Sequence, residues 1–262
     1  MEARADGLYV YPIKGMTPQA LQQVELTAGR GFPFDRVLAL ARPGGAYIPG
    51  LRHGLPKREF FVLVAEARLA ALTTRLDTAT GVLSVEVRGH RVLEADLATD
   101  EGVAALTAFS ARVLDLPPGR EPVLARDEGR RFTDVAHNSD RQMEFVSIVN
   151  LASVRDFASR IDRPVDPLRF RANIHLEGLP AWRELALVGR EFTLGGVRFR
   201  GTKPTERCAA TEVEPGTGRR DLPIPRLLAG TYGHEYLGVY AEVLDGGVLR
   251  DGADLELGDL VA

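Results

Sequence analysis

Short apolar segments, separated by glycine and proline, recur near both ends of this chain. LYVYPI (8–13), VELTA (24–28) and RVLALA (36–41) are rich in β-branched and aromatic residues, a composition that favours strands. Strands this short must be joined by tight turns, so the chain is expected to be mainly β, with a closed barrel as one way to pair the strand edges. The C-terminal segments with the same pattern are FTLGGVRFRG, AATEVE, YLGVYAEVL and ADLELG.

Two segments instead show the spacing of a helix. Thr99 suits an N-cap position, and the two acidic residues after it are favoured by the helix dipole. A second helix is predicted after Asn150. A hairpin is also expected, because apolar residues alternate at 72–76 and again at 83–87. The apolar faces consist of Val103, Leu106, Phe109 and Val113 in the first helix, and of Leu151, Val154, Phe157 and Ile161 in the second.

The polar run between these helices, residues 117–142, is the best candidate for a domain junction or a mobile loop. A length of 262 residues is compatible with two modest domains. We therefore predict an α+β, predominantly β protein, with an N-terminal β-rich domain at residues 1–118 and a second domain at residues 119–262. The polar run is also predicted to lie near the mouth of the functional site.

Composition and absent motifs exclude several classes of function. The net charge is −3 and the isoelectric point about 6.0, so there is no basic excess to follow a nucleic-acid backbone. No uncharged stretch approaches the ~20 residues that span a bilayer, and the N-terminus lacks a signal-peptide pattern, so we expect a cytoplasmic protein with no membrane partner. The sequence contains no G-x-S-x-G elbow, P-loop or dinucleotide-binding glycine pattern.

A single cysteine, Cys208, limits the metal chemistry of the chain. It excludes an internal disulfide, and it excludes zinc or iron–sulfur sites built from four cysteines. The histidines show no pair at metal-ligand spacing, so no conventional zinc site is predicted. They are His53, His90, His137, His175 and His234.

Two interpretations of Cys208 remain open from its neighbours alone. A lone cysteine is most often a small, buried and unreactive side chain. Here, however, Arg207 is adjacent to it, and Lys203 and Arg200 precede it. These cations would stabilise a thiolate, which is a soft ligand suited to a transition metal.

Further cations occur where an anion would be expected to bind. Arg169 and Arg171 alternate in sequence, so in an extended strand both would point to one side, with Asn173 in phase. Such a face is often simply solvated, but two guanidiniums and an amide also suit a phosphate or carboxylate. Lys14 precedes a glycine in YPIKG, and Arg36 begins a predicted strand. Together with Arg171 they would offer an anionic cofactor three cations from distant parts of the chain.

In their order along the chain, these motifs resemble those of the MOSC family, the molybdenum cofactor sulfurase C-terminal domain proteins. The resemblance covers nearly the whole chain and includes the N-terminal β-barrel module that often precedes a MOSC domain. The matching residues are Tyr11, Pro12, Ile13, Lys14, Gly31, Asp35 and Arg36 in the opening pattern, Arg169 to Asn173 in the centre, Arg207, Cys208, Thr211, Val213, Glu214, Pro215, Thr217 and Gly218 in the signature, and His234 with GVYAEV (238–243) in the closing pattern.

The resemblance implies a MOSC-type β-barrel with packing helices, and binding of the molybdenum cofactor. Family members that carry this cofactor ligate molybdenum through the signature cysteine, here Cys208. By the same likeness, the reaction is a two-electron reduction of N-hydroxylated substrates, in which oxygen passes to the metal and water is lost. Asn150 stands where reductase relatives carry an acidic residue near the substrate, so Cys208 and Asn150 are the predicted catalytic residues. The implied cofactor-binding residues are Lys14, Gly15, Arg36, Arg169, Arg171, Asn173, Arg207 and Thr211.

The sequence departs from the family pattern at several positions. Many relatives have serine after the motif lysine, whereas this chain has Gly15 and can offer only backbone to a phosphate there. Glu206, two residues before the cysteine, would place an anion near the metal. The T-x-R-x-x-P segment expected after the DR strand is not legible in residues 46–60. Its candidate substitutes are Arg52, Lys57 and Arg58.

One cysteine cannot support the ferredoxin domain that some relatives carry on the same chain. Electrons are therefore expected from a separate reductase or ferredoxin-like protein. Pyridoxal phosphate is not expected, because the chain has no large aminotransferase-like domain. Two alternatives remain open: a sulfur carrier that uses a Cys208 persulfide without molybdenum, and a non-catalytic module whose arginines hold another anion.

Overall fold

The computed structural model describes residues 3–51, 53–136 and 139–257. Arg52 and His137, named above, lie outside these ranges. Within them the chain forms fifteen strands and three α-helices, which confirms the α+β, predominantly β prediction. The elements are β1 (Arg4–Val10), β2 (Gln19–Leu21), β3 (Gln23–Leu26), β4 (Leu38–Ala41), β5 (Thr73–Leu76), β6 (Val82–Val87), β7 (His90–Asp96), α1 (Asp100–Leu114), β8 (Val123–Arg126), β9 (Val146–Asn150), α2 (Leu151–Arg160), β10 (Ile174–Glu177), β11 (Glu191–Leu194), β12 (Val197–Glu206), α3 (Ile224–Tyr232), β13 (Tyr236–Asp245), β14 (Gly247–Arg250) and β15 (Leu255–Leu257).

One eight-stranded sheet organises the C-terminal half. Its strand order is β15-β11-β12-β13-β9-β10-β1-β2. β9 runs parallel to β10 and antiparallel to β13, and it is buried along its whole length. Its sequence, VSIVN, is the mostly apolar run expected of a strand that is covered on both faces. Among the described residues, β2 and β15 do not pair with each other. A bridge between Arg4 and Asp254, and a hydrogen bond from the Leu255 N–H to the Ala3 carbonyl at 2.7 Å, instead connect β1 with the start of β15.

The N-terminal strands pair with strands of the C-terminal half. β1 lies between β2 and β10, β3 pairs with β14, and β4 pairs with β8. A separate sheet of β5, β6 and β7 packs against α1. The boundary at residue 118 remains a prediction, but three of these strand pairings connect the two sides of it.

Two large hydrophobic clusters join these layers. The first lies on the large sheet and includes Phe192 and Phe199, whose stacked rings have centroids 5.4 Å apart. The second lies between α1 and the three-stranded sheet and includes Leu106 and Phe109 from the predicted helix face. Burial of each such side chain contributes about 1.5–3 kcal/mol. Val213, which closely follows Cys208, belongs to the second cluster, so the cysteine segment is packed against the N-terminal half.

Both predicted helices begin where the sequence indicates. The Thr99 hydroxyl accepts a hydrogen bond from the Gly102 N–H at 3.0 Å, and the Asn150 side chain accepts one from Ala152 at 3.1 Å. α3 has no counterpart among the predicted elements. Proline in its first turn is compatible with a helix, because that N–H has no partner within the helix. Of the helices in the described ranges, none has both the length and the apolar character needed to cross a bilayer.

Replacing Thr99 with alanine is expected to destabilise the chain by about 1 kcal/mol, because the first turn of α1 loses its acceptor. Thr107→Ala is the matched control, since that hydroxyl bonds to a carbonyl within the same helix. Urea unfolding followed by circular dichroism checks the difference between the two variants. Equal unfolding midpoints would contradict the capping role.

Two segments predicted as strands are instead short 3-10 helices. The AATEVE segment forms one at Ala209–Glu212, and the segment before β10 forms another at Pro167–Phe170. Asp166 caps the second by accepting a hydrogen bond from the following turn. The extended arrangement expected for Arg169 and Arg171 is therefore wrong, because an Asp-Pro start favours a turn here.

Candidate functional site

A cleft opens where N-terminal segments meet the large sheet. Its volume is about 880 Å³, counting the part that opens to solvent. Lys14, Arg36, Arg171 and Cys208, which are remote in sequence, line it together. Cys208 is half-buried and is not sealed in the core. These four residues thus share one cleft, and their binding roles remain predictions. Other residues that line the cleft are Asp35, Lys57, Asp134, Thr205, Glu206 and Tyr240.

Two arginines stack against the ring of Tyr11 beside the cleft. Arg36 and Arg171 each hold their guanidinium 4.4 Å from the ring centroid, and Arg36 also donates to the Arg171 carbonyl at 2.9 Å. Both residues have positive φ, 50° and 52°, a conformation that is costly outside glycine. Burial, and then the neighbouring charge of Arg36, lowers the pKa of Arg171 to about 10. Both arginines therefore present positive charge at neutral pH.

Lys14 is buried and is held by the polar run. Its Nζ donates to the Phe132 carbonyl at 2.8 Å and to a carboxylate oxygen of Asp134. Thr133, Asp134 and Val135 line the cleft, so this part of the polar run lies near the site as expected. Burial lowers the pKa of Lys14, and the charge of Asp134 opposes that shift. Burial is the largest single effect on Asp134 and raises its pKa, but the charge and hydrogen bond of Lys14, together with the charges of Lys57 and Arg36, bring it to about 2. We therefore expect an ionised pair.

This pair is expected to make stability depend on acid pH. The pKa of Asp134 falls from its ordinary value of 3.8 to about 2 in the folded chain. Its contribution to stability is therefore present above the ordinary value and is lost as the pH falls through the folded value. Asp134→Asn is expected to remove this part of the dependence, because an amide does not titrate.

Urea unfolding midpoints between about pH 2 and pH 6 check this expectation. Asp162→Asn is a control that removes a carboxylate outside the cleft. An Asp134→Asn variant with the wild-type pH dependence would show that the pair is not responsible.

Arg169 has a different role from the one that the resemblance implies. Its guanidinium donates to both carboxylate oxygens of Asp221, at 2.7 and 2.8 Å. It also donates to the carbonyls of Thr211 and Glu212, at 3.4 and 3.2 Å. Arg169 therefore fastens the segment that follows Cys208. Its Nε has no hydrogen-bond partner among the described residues, so only this edge of the side chain remains for a ligand.

Arg207 supplies the positive charge expected beside the thiol, but its donors face the protein. It donates from Nε to the Leu237 carbonyl and from Nη1 to the Phe170 carbonyl, both at 2.7 Å. Burial lowers the pKa of Arg207 to about 10, while Tyr240 and Cys208 oppose that shift. The guanidinium is therefore charged at neutral pH. A direct contact with a cofactor is not supported, because these donors already hold backbone carbonyls.

Cys208 begins a turn that is fixed from two sides. Thr211 donates both its N–H and its hydroxyl to the Cys208 carbonyl, at 3.0 and 2.9 Å. Thr211 thus shapes this turn, and because it also lines the cleft, the cofactor contact implied for it stays a prediction. Arg220 donates to the carbonyls of Ala209 at 2.9 Å and of Leu63 at 2.6 Å. It thus links the cysteine turn to the N-terminal wall of the cleft.

Two asparagines predicted at the site form hydrogen bonds with other parts of the protein. Asn173 lines the cleft, but it accepts a hydrogen bond from Ser147 N at 3.1 Å and donates one to Tyr9 O at 3.2 Å. Asn150 is fully buried, caps α2 and donates to a Glu184 carboxylate oxygen at 3.1 Å. It is not among the residues that line the cleft. The catalytic prediction for Asn150 is therefore wrong, because capping turns its side chain toward the helix.

The remaining candidate cations divide between the cleft and the surface. Lys57 lines the cleft, whereas Arg58, Arg200 and Lys203 do not. Arg200 pairs instead with Glu191 across β11 and β12, at 2.5 Å. The thiolate-stabilising role expected of Arg200 and Lys203 is therefore not supported by their positions.

Gly15 accounts for one departure from the family pattern. Its φ is +83°, and a Cβ placed on it would lie 3.2 Å from Val62 Cα and 3.3 Å from Phe61 O. A serine here would be both strained and crowded. The cleft wall is thus built around glycine at this position.

The chemistry of the cleft fits a large anionic group that carries a soft metal. Within the described ranges, six cationic side chains and three carboxylates line it. The buried hydroxyls of Thr133 and Thr205, also at the cleft, lack a partner in that part of the chain. No group of three or more His, Cys, Asp or Glu among these residues is placed to hold a metal ion. A metal would therefore depend on Cys208 and on ligands that arrive with the bound group.

Two family profiles match consecutive parts of the chain. The MOSC N-terminal beta barrel domain matches residues 2–115, and the MOSC domain matches residues 134–256. The chain belongs to the MOSC family. The resemblance that the motifs indicate is thus confirmed, and the unmatched residues between the two MOSC profiles fall largely in the polar run.

Named proteins show how far the similarity of this MOSC chain extends. A molybdenum cofactor sulfurase from Drosophila persimilis is 31% identical over 152 residues, which are 53% of this chain and 18% of that protein. Mitochondrial amidoxime-reducing component 1 from Mus musculus is 23% identical over 252 residues, which are 83% of this chain and 68% of that protein. Among solved structures, the YUAD protein from Bacillus subtilis is 14% identical, with coverage of 98% and 95% and a TM-score of 0.46.

Asp134, Thr205 and Tyr240 are polar residues of the MOSC cleft that were not predicted as site residues. Asp134 lies in the polar run, where several acidic residues have equivalent sequence contexts. Thr205 precedes the signature, and Tyr240 lies within the closing GVYAEV pattern. Only the last carried a usable signal, since an aromatic residue in a matched motif is a reasonable candidate for a site wall.

Proposed function

We propose that this chain binds the molybdenum cofactor in the cleft and is an oxidoreductase that reduces N-hydroxylated substrates. The observation that carries the proposal is the convergence of Lys14, Arg36, Arg171 and Cys208 on one cleft. Three cations suit the phosphate of the cofactor, and a half-buried thiol suits its metal. The family membership and the relative named for amidoxime reduction support the choice of substrate class.

Each residue would have a limited task. Lys14, Arg36 and Arg171 would bind the phosphate and orient the cofactor, and Cys208 would be the protein's ligand to molybdenum. Arg207 would place a positive charge next to the sulfur that binds the metal. When bound, the cofactor supplies two-electron redox chemistry and an acceptor for oxygen. The balanced reaction takes two electrons and two protons, breaks the N–O bond and releases water.

The electrons would come from a separate reductase or ferredoxin-like protein. The single cysteine of the chain cannot hold an iron–sulfur cluster of the four-cysteine type.

We also propose a cytoplasmic location. Fractionation of the source cells, with antibody detection of the chain, tests the location, and recovery in an organelle or membrane fraction would contradict it.

Metal analysis of protein from a host that makes the molybdenum cofactor tests the proposal. Molybdenum near one atom per chain, together with reduction of benzamidoxime by a chemical electron donor, is the expected result.

The match to a molybdenum cofactor sulfurase favours a second candidate, a sulfur carrier that uses a Cys208 persulfide. That alternative predicts no molybdenum and a persulfide that alkylation detects. If neither molybdenum nor a persulfide is found, the remaining candidate is a non-catalytic anion-binding module.

A further inference from the structure

Asp134 places a carboxylate among the cations of the cleft. Its carboxylate contacts the ammonium group of Lys14, and the positive charges of Lys57 and Arg36 help to lower its pKa. The negative charge of Asp134 in turn raises the pKa of Arg171, against the effect of burial. All four cations line the cleft with it. A resident carboxylate thus already neutralises part of the cluster that was inferred to hold a phosphate.

The turn that carries Asp134 is anchored independently of this carboxylate. Phe132 donates its N–H to the Arg36 carbonyl at 2.7 Å, and its own carbonyl accepts from Lys14 at 2.8 Å. The Asp134 side chain is half exposed to the cleft, whereas that of Lys14 is 6% exposed. The carboxylate therefore has open space to move into, and Lys14 would keep one acceptor when it moves.

We propose that Asp134 is an internal competitor at the cluster of Lys14, Arg36, Lys57 and Arg171, so that only an anion bound tightly enough to displace it, such as a phosphate dianion, occupies the cluster. A group on the same chain competes at a high effective concentration, so it excludes weakly bound anions. A carboxylate from solution brings no more charge than the one it replaces. A phosphate monoester brings about −1.5 to −2 charges and three strong acceptor oxygens, so it gains by the exchange.

Asp134 is therefore a specificity-determining residue of the proposed cofactor site. The inference rests on the phosphate-binding part of the proposed function and does not depend on bound molybdenum. The chemistry selected is that of a phosphate ester, whether it belongs to a pterin cofactor or to another small molecule.

Equilibrium binding of inorganic phosphate and of acetate to the full chain, prepared without molybdenum and at constant ionic strength, tests this selectivity. Asp134→Asn is expected to bind phosphate at least ~tenfold more tightly than the wild type, because the bound anion no longer has to displace a resident carboxylate. Acetate binding is expected to become measurable in this variant only. Asp162→Asn is the control, since it removes a carboxylate outside the cleft, and it should leave the affinities for both anions unchanged.

Several results would overturn the proposal. They are phosphate or acetate binding by Asp134→Asn that is no tighter than binding by the wild type, and the absence of phosphate binding in every variant. A second measurement uses the unaltered chain, so it does not depend on the folding of a variant. Hydrogen exchange at the amides of residues 133–136 should become faster as phosphate is added, and slower or unchanged exchange would contradict displacement of the carboxylate. Metal analysis is a separate measurement. A protein without molybdenum would contradict the proposed function and would leave the proposal for Asp134 to be decided by the phosphate binding data.

Discussion

The Cys208→Ser variant is expected to fold normally and to contain at least ~tenfold less molybdenum than the wild type, because even changes outside the ligand shell cost 10–100-fold in metal affinity. Serine is similar in size, but its hydroxyl is a hard and weakly acidic donor, whereas the metal favours a soft thiolate. The turn itself should persist, since Thr211 bonds to the backbone carbonyl of Cys208 and not to its side chain. Activity toward an N-hydroxylated substrate should fall with the metal content.

Metal content per chain and the thermal unfolding midpoint, measured on the same preparation, check this expectation. Thr211→Ser is the control, because it keeps the thiol and retains a hydroxyl that can donate to the Cys208 carbonyl. If Cys208→Ser contained as much molybdenum as the wild type, Cys208 would not be a ligand of the metal. A persulfide in the wild type, with no molybdenum in either protein, would favour the sulfur carrier.

The Gly238→Ala variant is expected to lose about 3 kcal/mol of stability, which combines backbone strain with overpacking. Gly238 has a φ of +83°, and a Cβ there would lie 2.4 Å from the Ile148 carbonyl oxygen in the neighbouring strand. It would also lie 3.0 Å from Nη2 of Arg207. The strand and the guanidinium would both have to shift, and Arg207 is adjacent to Cys208.

Gly230→Ala is the matched control for this change. Gly230 lies in α3, and no heavy atom is found within 4 Å of a Cβ built there. Alanine should therefore stabilise the chain by roughly 0.5 kcal/mol through its helix propensity. Free energies of unfolding from urea titrations measure both variants. A Gly238→Ala loss below about 1 kcal/mol would show that the strand and Arg207 adapt at little cost.

Local patterns predicted the helices better than they predicted the turns of the site. Thr99 caps α1 as predicted, and α2 begins after Asn150 as predicted, since the start of a helix depends on residues within one turn of each other. Arg169 and Arg171 were expected on one face of a strand and lie instead at a 3-10 helix and its left-handed end. Periodicity cannot identify a turn this short, because it has too few residues to repeat.

The sequence also could not divide the motif residues by role. Arg169, Arg207 and Thr211 match the family motifs, yet their principal contacts are with Asp221, with backbone carbonyls and with the Cys208 turn. These partners lie as far as 52 residues away in the chain. A hydrogen-bond donor is committed only once its nearest acceptor is placed, and that placement depends on how distant segments pack. Asp134 shows the converse, since no motif marks it and it directly contacts Lys14.

The sequence alone identifies this protein as a β-rich member of the MOSC family with one thiol, because residue types and their order define the available donors. Only the tertiary structure decided which donors remain available to a ligand. Lys14, Arg36, Arg171 and Cys208 face one cleft, whereas Asn150 is used by a helix N-terminus. The physical reason is that each buried polar group must find a partner, and the packing of distant segments determines which partner is within reach.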